Sequence, residues 1–175
     1  MPDIVLTTFN AKYAHASFGL RYLMANLGEL QSRAAIVEFE ISQRVGDVLE
    51  AILALEPKIV GIGVYIWNID QSTRLVADLK RLRPEIVVVL GGPEVSYESE
   101  QQEIVALADY TIAGEADLTF ARLCHWLLGN RDVAPFIPLV AHQHEEESTS
   151  QEQLTPLAPT GRGVGGEGLQ QLELL

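Results

Sequence analysis

Ile86-Val87-Val88-Val89-Leu90-Gly91-Gly92-Pro93 is the stretch on which the fold turns. An uninterrupted apolar run rich in β-branched residues suits a strand buried on both faces, whereas a strand with one wet face alternates polar and apolar side chains. Gly91-Gly92-Pro93 ends it abruptly. Working outward, Ile59 to Ile66 is a second β-branched run, with Gly61 and Gly63 inside it. Ile4-Val5-Leu6 and Tyr110 to Ala113 are shorter ones, and Ala34 to Glu40 alternates through Glu38 and Glu40 as an exposed edge strand does.

Helical spacing fills the intervals. Leu20, Leu23, Met24, Leu27 and Leu30 mark a helix over residues 17–30, with Ser17 as its N-cap. Val45, Val48, Leu49, Ile52 and Leu55 mark a second, stopped by Pro57. A third covers residues 69–82 with Leu75, Val76, Leu79 and Leu82 inward, a weaker one lies around 100–107, and a last runs from 116 to 128. Five rounds of strand then helix with short connections specify an α/β fold: a doubly wound (flavodoxin-like or Rossmann-like) five-stranded parallel sheet, strand order 2-1-3-4-5.

The 175 residues suit one domain with a tail. Lys and Arg number 12 against 24 Asp and Glu, a net charge of −12 that argues against nucleic acid or an anionic membrane as partner. The single cysteine excludes a disulfide framework and a cysteine-ligated iron–sulfur cluster within these residues. No stretch has the length of a membrane span and the first residues lack a signal-sequence pattern, so a cytoplasmic location is the expectation. Residues 1–129 form the expected domain and 130–175 an extension. From about residue 141 it is too polar and glycine-rich to offset its ordering entropy, and a disordered tail is expected.

In a doubly wound sheet the ligand crevice lies beyond the carboxyl ends of the strands. The loop after the first strand, Phe9 to Ser17, carries Asn10, Lys12, Tyr13, His15 and Ser17. After the third come Tyr65, Trp67 and Asn68; after the fourth Gly91, Gly92, Pro93 and Glu94; after the fifth Gly114 and Glu115. Each alone is an ordinary loop residue, but all fall on one edge of one sheet. Three rival families are excluded by what those loops lack. There is no acidic pair after strand one, no Gly-x-Gly-x-x-Gly, and no Ser/Thr/Gly-rich phosphate loop.

Asn10-Ala11-Lys12-Tyr13-Ala14-His15 followed by Leu20-Arg21-Tyr22-Leu23, then Gly91-Gly92-Pro93-Glu94-Val95 and Gly114-Glu115-Ala116-Asp117, resembles the N-terminal cobalamin (vitamin B12)-binding domain of cobalamin-dependent radical S-adenosylmethionine proteins. The resemblance spans about residues 3–129 and agrees in order and spacing. It implies cobalamin held over the carboxyl edge, with its nucleotide tail running down between strands. Asn10, Lys12 and Ser17 would reach rim amides or the tail phosphate, and Gly91 and Gly92 would let the tail pass. It also makes His15 a candidate lower cobalt ligand, although the Asp and Gly of Asp-x-His-x-x-Gly are missing from Tyr13-Ala14-His15-Ala16-Ser17-Phe18. The family's catalytic barrel carries Cys-x-x-x-Cys-x-x-Cys, and Cys124 alone cannot supply it. The expected function is therefore a cobalamin-binding module, stand-alone or truncated, not catalytic by itself, with a separate radical S-adenosylmethionine protein as a partner. Two alternatives stay open: a small-molecule binder or enzyme using Lys12, His15 and Glu94, and a non-binding remnant acting as an interaction domain.

Overall fold

The computed structural model describes residues 1–11, 16–97, 101–129 and 139–141. Strands β1 (Ile4–Asn10), β2 (Ala34–Glu40), β3 (Ile59–Gly63), β4 (Val87–Gly91) and β5 (Tyr110–Ile112) form a parallel sheet in the order β2-β1-β3-β4-β5. This is the order expected from the sequence. A short sixth strand, β6 (Leu139–Ala141), pairs antiparallel with β5 and was not anticipated. Three residues just past Pro138 are too few to show a period.

Helices α1 (Phe18–Asn26) and α5 (Asp117–Leu127) cover one face, and α2 (Val45–Leu53), α3 (Ile69–Leu82) and α4 (Glu103–Leu107) the other. Strand side chains alternate between two cores. Ile4, Leu6, Ile59, Val89 and Ile112 face α1 and α5, while Phe9, Val60, Ile62, Val88 and Leu90 face α2, α3 and α4. Burial on both faces explains why the central strands are apolar throughout.

Ser17 caps α1, its hydroxyl accepting from the Leu20 amide at 3.4 Å. The predicted first helix is cut short by Gly28, whose φ of +58° breaks the α-helical path, and a 3₁₀ turn carries the chain from Gly28 to Arg33. Leu20, Leu27 and Leu30 are buried as expected. Leu82 is not inward: as the final residue of α3, past the last buried turn at Leu79, it is 53% exposed. Strand β3 stops at Gly63 rather than Ile66, because Tyr65 to Asn68 closes a turn with the Asn68 amide on the Tyr65 carbonyl at 2.9 Å. Gly61 is a packing glycine. A Cβ there would lie 2.9 Å from Leu6 Cδ2 and 3.1 Å from two carbons of the Phe120 ring. Cys124 is fully buried on α5, and burial pushes its thiol up to about 12.

The amino edge of the sheet is held by ion pairs. Lys80 Nζ donates to both oxygens of Asp109 at 2.9 Å and to the carbonyls of Pro84 and Ile86. Asp109 in turn accepts from the Val88 amide at 2.7 Å. Asp3 accepts from Arg33 Nε at 2.6 Å and lies 2.9 Å from Lys58 Nζ. The Arg33 hydrogen bond, then that of Lys58, holds the Asp3 carboxyl below its ordinary value. A lowered folded-state value means stabilisation that is present above the unfolded value of about 3.9 and disappears as pH falls through the folded one. Asp3→Asn is expected to cost less than about 1 kcal/mol at pH 7, since both cations are largely exposed. Urea unfolding should show the variant and parent converging as pH falls through the folded value; a difference that persists below it would assign the effect to packing.

Candidate functional site

Strand β1 sends its helix to one face of the sheet and β3 sends its helix to the other, so a crevice opens between their carboxyl ends. A cleft of about 190 Å³ lies at this edge. Its walls are Gly19, Leu20 and Leu23 of α1, Gly63 and Tyr65 at the end of β3, Gly92 after β4, and residues 114–117 leading into α5. Whole-ligand sites usually start near ~300 Å³, so this cleft has room for part of a larger molecule.

The cleft's glycines are there for different reasons. Gly92 has φ +113°, and a Cβ on it would lie 2.4 Å from the Val64 carbonyl oxygen. Its bareness serves the protein's own backbone, which folds across the end of β3. Gly114 has φ +73° with nothing within 4 Å of a Cβ, so conformation demands it. Its amide donates to Ser96 Oγ at 3.1 Å, and that hydroxyl donates to the Gly92 carbonyl at 2.7 Å, tying the fourth and fifth loops together. Gly19 and Gly63 lack a positive φ, and a Cβ at either would meet nothing nearer than 3.6 and 3.5 Å. The packing does not require glycine at these two positions, and both open onto the cleft.

An aromatic wall stands beside it. The Tyr65 and Trp67 rings stack at 4.6 Å between centroids and 7° between planes, and Trp67 Nε1 donates to the Phe9 carbonyl at 3.3 Å. Trp67 remains 49% exposed. Asn68 holds this wall from beneath. It is fully buried, and its Nδ2 reaches Thr8 Oγ1, the Phe9 carbonyl and the Gly63 carbonyl at 3.0 to 3.2 Å. Its Oδ1 accepts from the Tyr65 amide at 2.8 Å and from Ser72 Oγ at 3.4 Å. Asn68 occupies the N-cap position of α3, yet its side chain caps nothing and turns back to the strand ends instead.

The first loop is anchored at both ends by a carboxylate that the sequence reading placed only on an exposed edge. Glu38 of β2 accepts from Asn10 Nδ2 at 3.0 Å, from the Ser17 amide at 3.1 Å, and from Arg21. Arg21 also donates to the Ser17 carbonyl at 2.9 Å. Asn10 and Ser17 are thus brought together through Glu38. Lys12, Tyr13 and His15 lie outside the described residues.

Gly91 closes β4, its carbonyl accepting from the Val64 amide at 2.8 Å. Pro93 opens a short 3₁₀ turn that carries Glu94, whose carbonyl accepts from Gln102 Nε2 at 2.8 Å. Glu115 sits at the cleft mouth with Asp117, and no cation lines the cleft among the described residues. Carboxylate oxygens accept hydrogen bonds, so this mouth suits N–H donors. No group of three or more His, Cys, Asp or Glu among the described residues is placed to hold a metal ion. Glu38 and Ser96 were the positions hardest to see in advance. Their partners are 21 and 18 residues away, and no local pattern encodes that.

Asn68→Ala would strip the Tyr65 amide of its acceptor and leave the strand-end carbonyls short of a donor. The expected loss is about 1–3 kcal/mol in urea unfolding, together with a weakened near-ultraviolet dichroism from the stacked Tyr65–Trp67 pair. Retention of that dichroism would show that the pair holds itself.

Residues 4–124 match the family described as "B12 binding domain". No curated protein matches the chain. Among solved structures it is similar to a novel cobalamin-binding protein from Desulfitobacterium hafniense DCB-2, with a TM-score of 0.55 and 22% identity over 73% of this chain and 59% of that one. It is also similar to the radical S-adenosylmethionine methyltransferase TsrM from Kitasatospora setae, with a TM-score of 0.65 and 16% identity over 81% of this chain and 29% of that one. The cobalamin-dependent S-adenosylmethionine radical enzyme OxsB gives 0.56 and 12% over 73% of this chain and 19% of that one. At these identities the likeness is one of fold. The chain spans a little over half the length of the first and less than a third of the other two.

Proposed function

The chain belongs to the B12 binding domain family, and from that premise we propose that its carboxyl-edge cleft receives the nucleotide side of cobalamin while the corrin ring rests on the mouth above it. The observation that carries this is the pair Gly19 and Gly63. Both are bare where the protein's own packing does not require it, and both face the same cleft. A corrin is a wide apolar disc edged with amides. The Tyr65–Trp67 wall offers it an apolar surface, and Glu115 and Asp117 offer acceptors for amide N–H groups.

Individual roles follow from the contacts. Asn10 gives its Nδ2 to Glu38, and its Oδ1 can accept from a rim amide. Ser17 gives its hydroxyl to the α1 cap, so its part is to place the first loop. Gly91, Gly92 and Pro93 shape the loop under the ring, with Glu94 beside them, and Gly114 sets the direction of Glu115. Asn68 positions Tyr65 and Trp67 without facing the ligand. Lys12, Tyr13 and His15 supply a cation, a phenol and an imidazole from the first loop, with His15 the candidate for cobalt. When bound, cobalamin supplies a cobalt-centred methyl carrier; these residues bind and orient it.

The binding domain is assigned to residues 1–129, with 130–175 as an extension. With one cysteine in 175 residues, a three-thiolate iron–sulfur cluster must come from elsewhere, so the partner is a separate radical S-adenosylmethionine protein or domain. No helix among the described residues is long and apolar enough to cross a membrane. A cytoplasmic location is the one this reading expects.

The test is retention of hydroxocobalamin through gel filtration, read from the visible spectrum at micromolar protein. The parent chain should elute with corrin absorbance. Gly63→Leu, which projects a side chain into the cleft, should lose it with an unchanged far-ultraviolet dichroism. A parent chain that elutes colourless overturns the reading. Loss of a nitrogen-ligated spectrum in His15→Ala would identify the cobalt ligand.

A further inference from the structure

Glu38 lies on the edge strand β2, yet its side chain is only 17% exposed, and three donors converge on it. One oxygen accepts from Asn10 Nδ2 at 3.0 Å; the other accepts from the Ser17 amide at 3.1 Å and from Arg21. A carboxylate paired with arginine has acceptors and no donor, so the nitrogen end of the Asn10 amide must face it. The oxygen end, Oδ1, is then turned away from β2. The two ends of a carboxamide have nearly the same shape, and only the partner's chemistry decides between them. Glu38 therefore fixes the hydrogen-bonding sense that Asn10 shows where β1 ends. Neighbouring side-chain nitrogens are likewise committed to the protein. Trp67 Nε1 donates to the Phe9 carbonyl, and Asn68 Nδ2 to Thr8 Oγ1 and to the Phe9 and Gly63 carbonyls. Arg21 is held against Glu38 and is not part of the cleft lining. Glu115 and Asp117, both exposed at the cleft mouth, have the same sense as Asn10 Oδ1: they accept.

Resting on the cobalamin reading above, we propose that Glu38 is a positioning residue that presents Asn10 as an acceptor, so that the module reads the amidation state of the corrin rim. A rim carboxamide brings N–H donors to Asn10 Oδ1. A rim carboxylate in the same place sets acceptor against acceptor, and a favourable contact becomes a repulsive one. The ligands discriminated against are incompletely amidated corrinoids, which differ from the complete one in a single group and hardly in shape.

Equilibrium dialysis of the full chain at neutral pH tests this, with hydroxocobalamin and its monocarboxylic acids, each having one side-chain amide hydrolysed, as probes. In the parent chain at least one acid should bind about tenfold or more weakly than hydroxocobalamin. Glu38→Gln gives Asn10 a neighbour that can donate as well as accept, so the Asn10 amide can turn and offer Nδ2. The penalty on that acid should then shrink to about threefold or less. Loss of loop anchoring alone would weaken every probe together and leave the ratio where it was. Asn10→Ala, which removes the acceptor, should shrink the ratio in the same way and serves if Glu38→Gln does not keep the parent's far-ultraviolet dichroism. A parent for which no acid is weaker by about tenfold, or a ratio unmoved in the folded variants, overturns this proposal and leaves the cobalamin reading intact. A folded parent that binds none of the probes overturns the cobalamin reading and this one with it.

Discussion

Where β4 ends, the chain passes so close to the end of β3 that no side chain fits between them. Val64 donates its amide to the Gly91 carbonyl at 2.8 Å, and Gly92 then crosses the Val64 carbonyl in a conformation that an L side chain rarely adopts. The rest of the carboxyl edge is arranged around this backbone contact. It sets the position of the Gly92 carbonyl, to which Ser96 donates, and Ser96 in turn receives the Gly114 amide and so places the fifth loop. On the other side it sets where Val64 ends, and hence where the Tyr65–Asn68 turn begins.

The two edges of the sheet are built by different chemistry. The amino edge is tied by charge: Asp3 with Arg33 and Lys58, and Lys80 with Asp109. At the carboxyl edge, the ties among the ends of β1, β3 and β4 are neutral, made of backbone amides, the hydroxyls of Thr8 and Ser96, and the amide of Asn68, while the Glu38–Arg21 pair ties β2 to α1. Neutral hydrogen bonds buried among themselves leave no unpaired charge beneath an apolar ligand, which would be costly once water is expelled. Glu115 and Asp117 stand at the rim, where they keep their solvent.

Much of the fold was legible in the residue order. Ile59 to Gly63 and Val87 to Gly91 could be recognised because strands buried on both faces carry unbroken apolar runs. Helix α3 was bounded to the residue by its apolar spacing. Positions governed by distant partners were less legible. Leu82 has the right spacing to face inward, but the core ends a turn before it. Asn68 has the loop position of a ligand contact, but its partners at Thr8 and Phe9 are 60 and 59 residues away and, with the Tyr65 amide, leave none of its polar atoms unused. The glycines divide the same way. The order of residues shows that they cluster at one edge, but it cannot separate Gly92, bare for the sake of Val64, from Gly63, bare toward the cleft.

By itself the sequence determined the α/β layering, the strand order of the parallel sheet, and a family resemblance that the match over residues 4–124 bears out. These follow from short-range periodicity and from the handedness of strand–helix–strand connections, both of which are local properties of the chain. Only the tertiary structure decided which side chains are spent within the protein and which face the cleft. Glu38, Asn68, Ser96 and Phe120 acquire their parts from atoms far along the chain, brought within hydrogen-bond or van der Waals reach by packing. A contact between residues 59 positions apart leaves no trace in the spacing of either.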